Sequence, residues 1–202
     1  MSIVPRGAAT GARGALAPIA RALHTRGVSA NAVTVTGLLI TLAGALFVAL
    51  GQPTAALLVL LVGTLADTLD GQIARLSGGG TKLGAFLDST FDRLSDAALS
   101  VAALIVGAIY GEPLLFFSAI LALVAGSLVP YVRAKAESLG LGASVGLAPR
   151  EARLVLMVLG IAAWAVTGSL SLFAAAVAVV ALLSTITAAQ RIAHVARALR
   201  NT

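Results

Sequence analysis

The chain has 202 residues, 59% of them hydrophobic, 11% charged and 4% aromatic, with a mean hydropathy of +1.01. Soluble domains carry about 25% charged residues, so the composition points to a membrane protein, and the absence of cysteine excludes disulfides, thiolate metal sites and cysteine nucleophiles. A net charge of +6 would suggest a nucleic-acid partner in a soluble protein, but basic residues flank membrane segments for topological reasons, and so few aromatics leave no base-stacking platform; no nucleic acid is expected.

Met1–Thr10 holds no apolar run long enough for a signal peptide, so the N-terminus is expected to stay in the cytosol. From Thr10 to Gly27, Leu16, Ile19, Ala20 and Leu23 share one helical face, while Arg13, Arg21 and Arg26 lie elsewhere. This reads as an amphipathic helix on the cytosolic surface of the bilayer; a disordered basic tail is the alternative. Residues 1–31 are therefore assigned to an N-terminal interfacial segment, and residues 32–202 to a single membrane domain.

A spanning helix needs about 20 apolar residues. Six are predicted: Ala32–Leu50, Pro53–Arg75, Gly84–Tyr110, Pro113–Glu137, Glu151–Thr167 and Leu170–Val195. The breaks are chemical. Gly51-Gln52-Pro53, the glycine run between Ser77 and Thr81, Gly111-Glu112-Pro113, the long Gly140–Pro149 loop and Gly168-Ser169 each interrupt a helix. Every Lys and Arg falls in the N-terminal segment, around the loops after spans two and four, or near the C-terminus; the three opposite loops have none. The positive-inside rule then puts both termini in the cytosol. The expected fold is an all-α integral membrane protein of six transmembrane helices with an N-terminal amphipathic juxtamembrane helix. The Ala/Gly/Arg-rich usage fits a high-GC bacterial genome, hence a multi-pass protein of the bacterial cell membrane. Trp164, near the outer end of span five, is expected to anchor at the interface.

Against this apolar background, Asp67, Asp70, Asp88 and Asp92 fall inside or beside predicted spans. Asp67 lies about 22 Å from the outer end of span two at 1.5 Å per residue, which leaves roughly 8 Å to the cytosolic boundary of a ~30 Å core. Asp88 lies one turn into span three from the same side. Asp67 and Asp70 are spaced i,i+3, and Gly84, Asp88 and Asp92 by four, so each set shares a helical face. An ionised Asp at the centre of a spanning helix costs about 2.5–3.5 kcal/mol, and four near one another repel. Carboxylate oxygens suit Mg²⁺ or Mn²⁺, and two such ions would neutralise the set and activate a phosphoryl group. Gly71 and Gly84 would let a phosphate approach, although small residues also serve helix packing. A salt-bridge network with Arg75 and Arg93, a cation transporter and a structural membrane subunit are the competing readings. Four acids against two bases do not balance, and the acids lie near one membrane face rather than at the midplane.

Asp67-x-x-Asp70-Gly71-x-x-Ala74-Arg75, eight residues, then Gly84-x-x-x-Asp88-x-x-x-Asp92 resembles the signature of the CDP-alcohol phosphotransferases, with every fixed position filled. The resemblance implies an enzyme that joins an alcohol to the phosphatidyl group of a CDP-linked donor and releases CMP. It implies that Asp67, Asp70 and Asp88 ligate two Mg²⁺ or Mn²⁺ ions, with Asp92 near the second ion and acting as general base. It also implies that Gly71, Arg75 and Gly84 contact the CDP part, with Asn31 and Thr34 completing that pocket. A homodimer is implied by the resemblance alone.

The signature leaves the acceptor open. Lys135, Arg153 and Arg191 cluster at the predicted cytosolic ends of spans four, five and six, where they would form a cationic pocket for a phosphorylated acceptor; positive-inside decoration is the alternative. Arg133 is two residues from Lys135 and cannot face the same side well. "GGGTKLGAFLDSTFDRLSD", and "YVRAKAESLGL" followed by "PREARLVL", resemble the actinobacterial inositol-phosphate-using branch of the family. The expected reaction transfers phosphatidyl from CDP-diacylglycerol to inositol phosphate, with the active site facing the cytosol; phosphatidylglycerophosphate synthesis is the close alternative. Asp96, one turn past Asp92, is expected either to orient Arg93 or to touch the acceptor. His24 and His194 have no partner spacing for a metal.

Overall fold

The computed structural model describes residues 6–200, with side chains described from residue 16 onward except that of Asp67. These residues form seven α-helices and no strand: α1 (Arg6–Thr25), α2 (Ala30–Ala49), α3 (Pro53–Leu76), α4 (Lys82–Ile109), α5 (Pro113–Ser138), α6 (Arg150–Thr167) and α7 (Leu170–Arg200). Helices α2 to α7 follow the six predicted spans, and α1 takes the place of the amphipathic segment. The breaks fall at the Gly-x-Pro sequences. Gly111 has φ +62°, which a residue with a Cβ adopts only with strain, and Pro113, which has no N–H to give, opens α5. Gly51 and Pro53 repeat the arrangement ahead of α3.

Among the described residues four helices, α2, α3, α5 and α7, are long and apolar enough to cross a membrane. The other two predicted spans carry the charge: α4 holds Asp88, Asp92, Arg93 and Asp96, and the first turn of α6 holds Arg150, Glu151 and Arg153. Outward-facing leucines such as Leu39, Leu46 and Leu58, each about 60% exposed, would be costly in water and suit lipid. The chain is a membrane protein.

The chain divides into two compact units. Unit 1 comprises Met1–Gly44 and Leu58–Ser95, and unit 2 comprises Ala45–Leu57 and Asp96–Thr202. In unit 1, Ala20 of α1 is wholly buried in a cluster with Val33, Ala66 and Ile73, with Leu23 and Leu69 packed around it. This is the apolar face read from the sequence, with one correction. Ile19 is 49% exposed, because the position before Ala20 is rotated by about 100° around the helix. Arg21 and Arg26 remain exposed.

In unit 2, α7 packs on α5 and α6, burying Phe173, Leu115, Ile161 and Val177 completely. Trp164 departs from the expectation of an interfacial anchor. It is only 7% exposed and stacks on Phe173 with ring centroids 5.6 Å apart, while Tyr110 meets it edge-on at 6.4 Å. Gly160, one turn before Trp164, permits this, since a Cβ there would lie 2.6 Å from the Cβ of Ala176. Another close approach occurs between α4 and α5. A Cβ on Gly107 would lie 2.6 Å from the backbone nitrogen of Phe116 and 2.9 Å from its Cα. Backbone atoms cannot swing aside, so Gly107→Ala is expected to cost about 1–3 kcal/mol, seen as a lower melting temperature in detergent. Gly126→Ala, with nothing within 4 Å of its added Cβ, is the matched control and is expected to melt like the parent. Equal melting of the two variants would show that the α4–α5 contact relaxes freely.

Candidate active site

A cavity of about 370 Å³ in unit 1 is bounded by the start of α2, the end of α3 and the start of α4, within the size range of small-ligand sites. Two helices begin at its wall. Ser29 Oγ accepts the N–H of Ala32 at 3.2 Å, and Thr81 Oγ1 accepts the N–H of Gly84 at 2.9 Å. Each is a side-chain N-cap that ties down the first turn of its helix. The positive ends of the α2 and α4 dipoles therefore adjoin the cavity, an arrangement that favours anions.

Asp70 and Asp88 line the same cavity, as do Asn31, Thr34, Gly71 and Gly84. Thr34 Oγ1 lies 2.9 Å from Asp70 Oδ2 and 3.0 Å from the carbonyl of Ala30, so its hydroxyl can donate to the carboxylate and fix that rotamer. Gly84 is held close: a Cβ there would lie 3.1 Å from Asn31 Oδ1 and 3.2 Å from Thr81 Oγ1. Ser77, at the end of α3, also borders the cavity, and its Oγ lies 3.4 Å from His24 Nδ1 on α1. His24 thus has a polar neighbour that its sequence context did not disclose.

The remaining signature residues are distributed as follows. Asp92 lies one turn beyond Asp88 on α4, half-buried and engaged in a polar interaction. Asp67 belongs to α3, but its side chain lies outside the described residues. Among the described residues no three His, Cys, Asp or Glu side chains converge on one point. The donors around the cavity are carboxylate, hydroxyl and amide oxygens, the chemistry that hard divalent cations require, so the residues present fit Mg²⁺ or Mn²⁺. Arg75 departs from the group expected around the CDP part. It lines a second cavity in unit 1 together with Ala17, Arg21, Gln72 and Leu76. Its guanidinium runs back along α3, with one terminal nitrogen 3.9 Å from where a Gly71 Cβ would lie. The i,i+4 spacing puts Arg75 on the Gly71 edge of the helix, beyond the face that carries Asp70.

Unit 2 holds the basic residues predicted for the acceptor. Arg150 and Arg153, one turn apart on α6, both reach Asp96. Arg150 Nε lies 3.2 Å from Oδ1, and an Arg153 terminal nitrogen lies 3.5 Å from Oδ2. Arg153 also donates to the carbonyl of Ala148 at 3.3 Å and is 7% exposed. Arg191 donates to the carbonyls of Val145 and Val129 at 2.9 and 2.7 Å. Next to it on α7, Gln190 accepts the N–H of Leu147 and Thr187 that of Ala148, so the α5–α6 loop is pinned along α7. Lys135 is exposed on the last turn of α5. Arg133 pairs with Glu137 on its own helix at 2.8 Å, both half-exposed. Arg93 donates to the carbonyl of Ser89 within α4, so Asp96 engages α6 rather than Arg93. Thr187, Gln190 and the Asp96 pairing carry no local sequence signal, since their partners are 39 to 57 positions away.

Several known proteins are similar. A phosphatidylinositol phosphate synthase of Mycolicibacterium smegmatis is 38% identical over 146 residues, 71% of this chain and 65% of that protein; the chain thus spans just under two thirds of that relative's length. An archaetidylinositol phosphate synthase of Pyrococcus horikoshii is 35% identical over 178 residues, 86% of this chain and 87% of the other. The crystal structure of Mycobacterium tuberculosis phosphatidylinositol phosphate synthase in complex with manganese and citrate superposes with a TM-score of 0.82 at 33% identity, covering 88% of this chain and 87% of that one. A structure of the same enzyme with CDP-DAG bound matches equally well, covering 89% and 92%. Residues 27–195 match the CDP-alcohol phosphatidyltransferase family, and with so much of the chain matched, the protein belongs to that family.

Proposed function

We propose that the protein transfers the phosphatidyl group of CDP-diacylglycerol to inositol phosphate, forming phosphatidylinositol phosphate and releasing CMP. The observation that carries this reading is the unit 1 cavity, where Asp70 and Asp88 share a wall with the capped N-termini of α2 and α4. Carboxylates and positive helix ends at one cavity suit a metal-bound pyrophosphate. Relatives named for different lipids, phosphatidyl and archaetidyl, share inositol phosphate in their names, which supports that acceptor over glycerol phosphate. Family membership sets aside the transporter and structural-subunit readings.

In this reading Asp67, Asp70, Asp88 and Asp92 hold two Mg²⁺ or Mn²⁺ ions. When bound, the ions neutralise the donor pyrophosphate and the charge that develops on departing CMP. Asn31, Thr34, Gly71 and Gly84 surround the CDP part, and Arg75 reaches it from the Gly71 edge. Lys135, Arg153 and Arg191 hold the acceptor phosphate. Asp92 takes the proton of the acceptor hydroxyl; that oxygen attacks the phosphorus bearing diacylglycerol, and the bond from this phosphorus to CMP breaks. All six helices α2 to α7 cross the bacterial cell membrane, both termini and the site face the cytosol, and the enzyme works as a homodimer. A site near the cytosolic face keeps the lipid tails in the bilayer while a polar acceptor arrives from water.

The test is CMP release from CDP-diacylglycerol with inositol phosphate, glycerol phosphate or free inositol. Inositol phosphate is expected to be the preferred acceptor; preference for either of the others overturns the acceptor assignment. Gly84→Ala offers a finer check on the donor pocket. The added methyl crowds Asn31 and Thr81, so KM for CDP-diacylglycerol is expected to rise about tenfold, on the scale of a modest overpacking strain, with KM for inositol phosphate unchanged. A rise confined to the acceptor would remove Gly84 from the donor pocket.

A further inference from the structure

We propose that Asp96 is a positioning residue for the acceptor, clamping the Arg153 and Arg150 guanidinium groups so that Arg153 presents a fixed donor set to the acceptor phosphate. The proposal rests on the assignment of Arg153 to that phosphate. Three observations support it. First, the Arg153 side chain is 8% exposed and that of Asp96 32%. A guanidinium withdrawn this far from water needs a countercharge, and Asp96 supplies it at 3.5 Å. Second, the carboxylate is divided, with Oδ1 toward Arg150 and Oδ2 toward Arg153. Asp96 and Ala148 take only two of the five N–H groups of Arg153.

Third, both arginines sit in the first turn of α6, whose N-cap, Pro149, contributes no side-chain hydrogen bond. Cations belong at the C-terminal end of a helix dipole, and at the N-terminal end they are unfavourable. Arg150 and Arg153 are held there against the dipole by a carboxylate from α4, a placement that suits an anionic ligand better than it suits the helix. A pair serving only the fold would gain more from a single bidentate bridge than from one carboxylate shared between two arginines. The clamp therefore sets the direction of Arg153 while using only one of its N–H groups.

The experiment uses the full-length enzyme in detergent or vesicles, with Asp96→Asn, Asp96→Glu and Arg153→Lys, alone and combined, and measures KM for inositol phosphate, KM for CDP-diacylglycerol and kcat separately. Asp96→Asn keeps the shape and removes the charge. It is expected to raise KM for inositol phosphate about tenfold, the scale of a weakened charge-assisted contact, with kcat and the donor KM within about twofold. Asp96→Glu is expected to restore most of the affinity. In the Arg153→Lys background, Asp96→Asn is expected to add little, because residues acting through one another are not additive. An unchanged or lower acceptor KM in Asp96→Asn, an equal loss in all three parameters, or full additivity with Arg153→Lys overturns the clamp. Failure of both Asp96 variants to fold also overturns it, making Asp96 a residue of the fold. An Arg153→Lys enzyme with the parent acceptor KM instead removes Arg153 from the acceptor site, and the failure then lies in the functional reading beneath the clamp.

Discussion

Asp92→Asn is expected to lower CMP release by about 10²–10⁴-fold, the range that a positioned general base contributes, while thermal stability stays close to the parent. Asparagine has the same shape and keeps one carbonyl oxygen, but it cannot accept the hydroxyl proton at neutral pH. Asp92 is half-buried on α4, one turn beyond the Asp88 that lines the cavity, and it shares the Gly84 and Asp88 face of the helix. A residue so placed can serve the hydroxyl without blocking the donor cavity. The control is Asp96→Asn, a neighbouring carboxylate changed in the same way, which is expected to act on acceptor KM and spare kcat. Equal kcat losses in both variants would indicate a general loss of local charge. Retention of more than a tenth of the parent turnover by Asp92→Asn would move the proton transfer to another group, and the acceptor's own phosphate would be the first to examine.

What the sequence disclosed and what it withheld divide along contact distance. Gly51-Gln52-Pro53 and Gly111-Glu112-Pro113 are local chemistry, and the helices break there. The span predicted to end at Val195 lies within a helix that continues to Arg200. Ala193, Ala196 and Ala198 favour helix whether or not lipid surrounds them, and Arg197 and Arg200 complement the C-terminal dipole. The signature placed Asp70, Gly71, Gly84 and Asp88 around one cavity because i,i+3 and i,i+4 spacing fixes a helical face. Arg75 sits on the Gly71 edge of that face, and its long side chain also lines the neighbouring cavity. Trp164 was misread. Its depth suggested an interface, but the small Gly160 one turn earlier opens a slot against Phe173, and a slot depends on two helices rather than one. The tie from Asp96 to α6 spans more than fifty residues, beyond the reach of any spacing rule.

Removal of the metal ligands is the other large effect. Chelation by EDTA is expected to abolish CMP release, and added Mn²⁺ or Mg²⁺ to restore it. Asp70→Ala and Asp88→Ala are each expected to lower turnover by at least about 10²-fold, as loss of a principal charge-stabilising group does, with no recovery at high metal. Thr34 separates ligation from orientation. Its hydroxyl lies 2.9 Å from Asp70 Oδ2, and hydrogen-bonding partners of ligating carboxylates typically contribute 10–100-fold in metal affinity. Thr34→Val keeps the shape and deletes the hydroxyl. It is expected to raise the half-saturating Mn²⁺ concentration by about tenfold or more, with turnover recovering at saturating metal, whereas Asp70→Ala does not recover. Direct Mn²⁺ binding to the detergent-solubilised protein reads the same shift without catalysis. A Thr34→Val enzyme with unchanged metal dependence would confine that hydrogen bond to the fold, and an Asp70→Ala enzyme rescued by excess metal would remove Asp70 from the ligand set.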